Sequence, residues 1–130
     1  MMDISTEDDV ALLIDTFYKR VVTDPLIAHF FTEVVQLNWH THIPIMNRFW
    51  CSVLLGTGSY SGQPMRAHLE LNQKSALTSG HFERWLELWT DTVHSLFEGE
   101  LANRAINQAK MMAHLIQDKL DRSANKGFIQ

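Results

Sequence analysis

The chain has three prolines, Pro25, Pro44 and Pro64, and none in its second half. Proline lacks a backbone donor and breaks a helix interior, so the stretch from Ser79 to Leu120 is open to two long helices. Apolar residues recur there at helical spacing. Phe82, Trp85, Leu86, Trp89, Val93 and Leu96 form one stripe; Leu101, Ala105, Ile106, Ala109, Met112, Ala113, Ile116 and Leu120 form the next. Steps of three and four put each set on one helix face. No sustained alternation of period two marks a strand, so the expected fold class is all-α.

The first half fits the same scheme. Ser5 or Thr6, followed by Glu7, Asp8 and Asp9, announces a helix from about residue 6 to 22, because hydroxyls cap helix starts and acids suit the positive end of the dipole. Its stripe is Val10, Leu13, Ile14, Phe17, Tyr18 and Val21. Asp24-Pro25 opens a short helix carrying Leu26, Ile27, Phe30 and Phe31, with proline at the first position, where no donor is needed. The next helix is expected to begin between Gln36 and Asn38 and to stop at Gly56, with Met46, Phe49, Trp50 and Val53 inward. His42 lies one turn before Met46 on that face. Pro44 predicts either two separate helices here or a bent first turn.

Residues 56–63 have turn composition. Pro64 then starts a short helical turn in which Met65, His68 and Leu69 share a face. A polar connection from Asn72 leads to a helix beginning at Ser79 or Gly80 and reaching about Phe97. The last helix is expected from about Gly99 to Arg122, with Ser123 to Gln130 as a frayed polar tail.

At 130 residues the chain is read as one domain, 1–130, able to bury one core. A formal charge of −4 and no basic patch argue against nucleic acid. No apolar run approaches the ~18 residues that a membrane span needs. The acidic start has neither the basic nor the apolar part of a secretory signal. A single cysteine, Cys51, makes no internal disulfide and fits a reducing cytoplasm. Four Trp and seven Phe imply either an aromatic core or a lining for a flat hydrophobic cofactor.

Tyr18, His42, His68 and Trp85 stand out because each is a polar or amphipathic group on an apolar face. Buried donors left unpaired cost about 1–3 kcal/mol each, so a shared acceptor is expected; a diatomic or a water on a metal would serve. For His68 two readings are open: a hydrogen-bonded, partly buried histidine, or an axial ligand of haem iron. Other metal centres do not match. Di-iron carboxylate sites need Glu-x-x-His twice, and the nearest spacing, Asp91-x-x-His94, occurs once. Structural zinc needs clustered Cys and His. The glycine patterns of nucleotide-binding loops are absent. Cys51 has no activating context and reads as an inert helix residue.

The chain resembles the truncated haemoglobins of the third group, the P type. The matching pieces are Phe17-Tyr18, Trp39 with His42, and Asn47-Arg48-Phe49-Trp50. They continue through Leu54-Leu55-Gly56-Thr57-Gly58-Ser59-Tyr60-Ser61-Gly62-Gln63-Pro64 and His68-Leu69 to Phe82, Trp85 and Leu86. The likeness runs from about Thr6 to Leu120; Pro44 and the long Asn72–Gly80 connection depart from it. It implies a truncated globin fold, a helical sandwich around a haem pocket, with haem b held by His68 as proximal ligand. It makes Tyr18, His42 and Trp85 the distal polar cluster and sets Met46 against the porphyrin. Phe31, Phe49 and Trp50 become haem or core contacts. His29, His40, His81, His94 and His114 are left as surface or structural residues.

The implied function is binding of oxygen, nitric oxide or carbon monoxide. Slow oxygen release would suit chemistry on the bound ligand, such as oxidation of nitric oxide to nitrate or peroxide activation, with a reductase as electron source. Two other readings stay open at this point: a haem-based gas sensor or ligand reservoir acting through a separate partner, and a helical interaction module with no cofactor.

Overall fold

The computed structural model describes residues 1–30, 39–58 and 78–125. Among these are four helices and no strand: α1 (Glu7–Val21), α2 (Trp39–Leu55), α3 (Ser79–Leu96) and α4 (Glu100–Asn125). The helices pack in a ring. α1 lies against α2 and α3, α3 against α4, and α4 against α2, the helix-on-helix packing expected from the stripes. None of the helices is long and apolar enough to cross a membrane, among the described residues.

Local chemistry sets the helix ends. Thr6 caps α1: its hydroxyl accepts the Asp9 N–H at 3.1 Å, and Asp9 Oδ2 accepts the Thr6 N–H at 3.1 Å, a reciprocal capping box. Lys19 and Arg20 occupy the last turn, where cations suit the dipole. At α3 the same box is built from Thr78 and a histidine. His81 Nδ1 accepts the Thr78 N–H at 3.0 Å, and the Thr78 hydroxyl accepts the His81 N–H at 3.3 Å. The start of α4 is capped from far away in sequence. The Asp3 carboxylate accepts the N–H groups of Leu101 and Ala102, each at 2.9 Å. Gly99 permits this approach: its φ is +141°, and a Cβ there would lie 2.6 Å from Asp3 Cγ.

Of the two readings of Pro44, separate helices are excluded, because α2 runs unbroken through it. Pro44 lies past the first turn and removes one i→i−4 hydrogen bond, while Ile43, Met46 and Trp50 pack the flanking turns onto the core. The last helix continues through Asn125 rather than ending at Arg122. Ser123, Ala124 and Asn125 supply no Gly or Pro to stop it, and the Arg122–Asp118 ion pair at 3.1 Å spans the preceding turn.

The core sits where the ring closes. Val10, Leu13, Ile14, Phe17 and Val21 of α1 meet Trp50, Cys51 and Leu54 of α2 and Leu88, Trp89 and Val93 of α3. Ala102, Ala105 and Ala109 let α4 approach closely. Trp89 is at the centre, 1% exposed, with its indole N–H donated to the Ala105 carbonyl at 3.1 Å. That bond satisfies the only polar atom of the side chain.

Candidate functional site

Tyr18 and His42 come together across the α1–α2 contact. The Tyr18 hydroxyl lies 2.9 Å from His42 Nε2, and the rings meet edge to face at 5.2 Å and 79°. Both side chains are half-buried. Tyr18 follows Phe17 in α1, so while Phe17 points into the core, Tyr18 is turned toward α2. Phe17 is edge-on to Tyr18 at 5.1 Å and to Trp85 at 6.0 Å, and so links the polar pair to α3. A cavity of about 220 Å³, lined by Asp15, Tyr18, Lys19, Val22 and Ile43, opens between α1 and α2 beside Tyr18. The Asp15–Lys19 ion pair, at 2.8 Å, stands at its rim.

Burial decides the charge state of the pair. It pushes the Tyr18 phenol well above its ordinary range and the His42 imidazole below its ordinary value, since low-dielectric surroundings disfavour each charged form. At neutral pH the site therefore holds a protonated phenol against a neutral imidazole. The tautomer of His42 then sets the proton geometry. With Nε2 unprotonated, Tyr18 donates to it; with Nε2 protonated, His42 donates to the Tyr18 oxygen and the phenol proton turns to another acceptor.

Beside this pair is an apolar wall that is only half-buried. His42, Met46, Phe49 and Val53 follow one another on α2 at steps of four, three and four, and Trp85 and Leu86 of α3 are half-buried against the same core. A haem offers broad apolar faces and an iron whose bound ligand accepts hydrogen bonds. A half-covered apolar stripe with a tyrosine, a histidine and a tryptophan at its edge fits that chemistry. Among the described residues no group of three or more His, Cys, Asp or Glu side chains is placed to hold a metal ion.

Of the residues singled out from sequence, Tyr18 and His42 are in direct contact, and Trp85 is joined to them through Phe17. Met46 is half-buried against the core. Phe49 is half-buried and edge-on to Trp50 at 5.2 Å. Trp50 itself is 3% exposed and stacked on Trp89. His68 and Phe31 lie outside the described residues. His40, His94 and His114 are exposed. His81 caps α3 and stands edge-on to Phe30 at 4.7 Å, with His29 at 6.2 Å.

A supporting contact escaped sequence reasoning. Asp24, expected only as a cap, accepts the Leu26 and Ile27 N–H groups on one oxygen and holds Arg84 of α3 with the other. Arg84 precedes Trp85 in sequence, so this ion pair anchors the turn of α3 that carries Trp85. The Asp-Pro dipeptide signalled the cap; nothing local signalled the partner.

This arrangement of helices has known counterparts. Residues 3–118 match the family described as bacterial-like globin, and the chain belongs to that family. The group 3 truncated haemoglobin ctb of Campylobacter jejuni is 29% identical over 117 residues, which cover 88% of this chain and 90% of the relative. The crystal structure of the group III truncated haemoglobin from Campylobacter jejuni superimposes with a TM-score of 0.79 at 28% identity, covering 92% of this chain and 95% of that one. A more local match, 37% identical over 75 residues, is to the group 1 truncated haemoglobin GlbN of Synechocystis sp., covering 57% of this chain and 58% of the relative. The resemblance to truncated haemoglobins of the third group thus holds in sequence and in fold, and membership of the family implies a haem-binding globin.

Proposed function

We propose that the protein holds haem b on His68 and binds oxygen or another diatomic at a polar distal site made of Tyr18, His42 and Trp85. The observation that carries this reading is the 2.9 Å contact of Tyr18 with His42 at the edge of the half-buried apolar stripe. Bound haem supplies an iron position for the diatomic and the electrons for its conversion. The chain's residues supply the rest. Met46 and Phe49 offer apolar contact to the porphyrin, and Phe31 belongs to the same set. Tyr18 keeps its proton because burial resists ionisation. With His42 donating to the phenol oxygen, that proton is directed at a partly negative ligand, and Trp85 offers an indole N–H as a second donor. Such preorganised donors act strongly in a site shielded from water.

Strong donation slows ligand release, which favours conversion over transport. Oxidation of nitric oxide to nitrate is the reaction we assign first, with a separate reductase as electron source; peroxide chemistry is the second. The unpaired Cys51 fits a reducing compartment, and we place the protein in the cytoplasm.

The test is the ultraviolet–visible spectrum of the purified protein, ferric and then ferrous with carbon monoxide, beside His68→Ala. A Soret band that moves with carbon monoxide and is lost or altered in the variant supports haem on His68. A spectrum that stays featureless after haem is added overturns the reading.

A further inference from the structure

Three tryptophans form a line from the edge of the site into the core. Trp85 and Trp89, one turn apart on α3, are parallel to within 4° with ring centres 6.2 Å apart. Trp89 is stacked in turn on Trp50 of α2 at 4.5 Å and 26°. Phe17 stands edge-on to both Trp85, at 90°, and Trp89, at 86°, and holds them in register. Only the first ring is near solvent: Trp85 is half-buried, whereas Trp89 and Trp50 are 1% and 3% exposed.

Indole is among the most easily oxidised side chains, and rings stacked this closely exchange electrons readily. The Trp89 N–H is donated to the Ala105 carbonyl at 3.1 Å. A carbonyl is too weak a base to take that proton, so an oxidised Trp89 retains its positive charge and is refilled by its neighbour rather than trapped by proton loss. Trp89 is therefore built as a link in a path.

On the haem reading given above, we propose that Trp85, Trp89 and Trp50 are an electron relay that moves oxidising equivalents from the pocket into the core, with hydrogen peroxide as the oxidant. Trp85 gives an electron toward the pocket, Trp89 refills Trp85, and Trp50 refills Trp89. Two such passes deliver the two electrons that, with two protons, reduce peroxide to two waters. Trp50 takes up one water and releases, in all, two electrons and two protons, ending one oxygen atom heavier. Trp85 and Trp89 return unchanged. The relay would spare the haem and the distal donors from oxidant that no substrate consumes.

The test treats the haem-loaded protein with less than one equivalent of hydrogen peroxide and no reductant, and locates added oxygen by peptide mass spectrometry. Buried Trp50 is expected to carry it. Trp89→Phe keeps an aromatic ring in the core and should lower Trp50 oxidation by about tenfold or more, with oxidation moving to Trp85. Trp50 oxidation unchanged in this variant overturns the relay. If Trp89→Phe does not fold, the half-buried Trp85→Phe takes its place, with the same expected loss at Trp50 and the same overturning result. A protein that forms no Soret band with haem defeats the haem reading instead. The relay is then decided on haem-free protein with flash-generated tris(bipyridine)ruthenium(III), a one-electron oxidant too large to reach Trp50. Oxidation of Trp50 that is lost in the variant supports it, and equal oxidation with and without Trp89 overturns it.

Discussion

Arg84 places Nε and Nη2 each 2.7 Å from one oxygen of Asp24, whose other oxygen caps Leu26 and Ile27. One carboxylate, 4% exposed, thus joins the turn after α1 to the helix that carries Trp85. Burial pushes the Asp24 carboxyl upward, but the Arg84 hydrogen bond and the two backbone N–H bonds outweigh it, and the group sits below its ordinary value. Asp24→Asn should cost about 1.5–3 kcal/mol, the range for a hydrogen bond to a charged group. A lowered carboxyl contributes stability above its unfolded pKa and loses it as pH falls through the folded one. The gap between wild type and variant in urea midpoint should therefore be full at neutral pH and close below the ordinary carboxylate range.

Tyr18→Phe removes the phenol that His42 contacts. If Tyr18 is the principal distal donor, oxygen dissociation should speed up by roughly tenfold or more, since about 1.4 kcal/mol corresponds to a factor of ten. Stopped-flow displacement of oxygen by carbon monoxide reads this. An unchanged rate removes Tyr18 from the distal role.

His81 closes the capping box of α3 through an unprotonated Nδ1, because its partner, the Thr78 N–H, is only a donor. Burial, and then the nearby His29, lowers the pKa of His81. The cap's contribution is present above the ordinary histidine value and is lost as pH falls through the lowered one. His81→Ala should cost about 1 kcal/mol at pH well above that range, and the cost should shrink in acid. His81→Gln, which can form the same box, should restore stability without the pH dependence. Denaturant midpoints across the acid-to-neutral range check both.

Gly99→Ala is expected to lower stability by about 1–3 kcal/mol, the usual cost of a strained backbone conformation, because φ is +141° and the new Cβ would press on Asp3. Thermal unfolding reads the loss. Asp3→Ala, which uncaps α4, should then make Gly99→Ala less harmful than it is in the wild type.

The sequence by itself determined the long helices, the faces they bury and which polar groups stand on those faces. Periodicity marked the stripes of α1, α3 and α4, Ser5 or Thr6 with the acids after it marked a helix start, and the Tyr18, His42 and Trp85 positions were legible because each interrupts an apolar stripe with a polar group. The tertiary structure decided which faces meet. Tyr18 and His42 are 24 residues apart, Asp24 and Arg84 are 60 apart, and Asp3 and Leu101 are 98 apart. Helical spacing fixes the direction of a side chain around its own axis, but not the neighbour it meets. For the same reason Pro44 could be read as a break, although packing of α2 on the core carries the helix through it. Likewise the stacking of Trp50 on Trp89 joins two helices that no local pattern pairs. Local propensity acts within a few residues; the contacts that assemble the site are formed only when the helices close on one another.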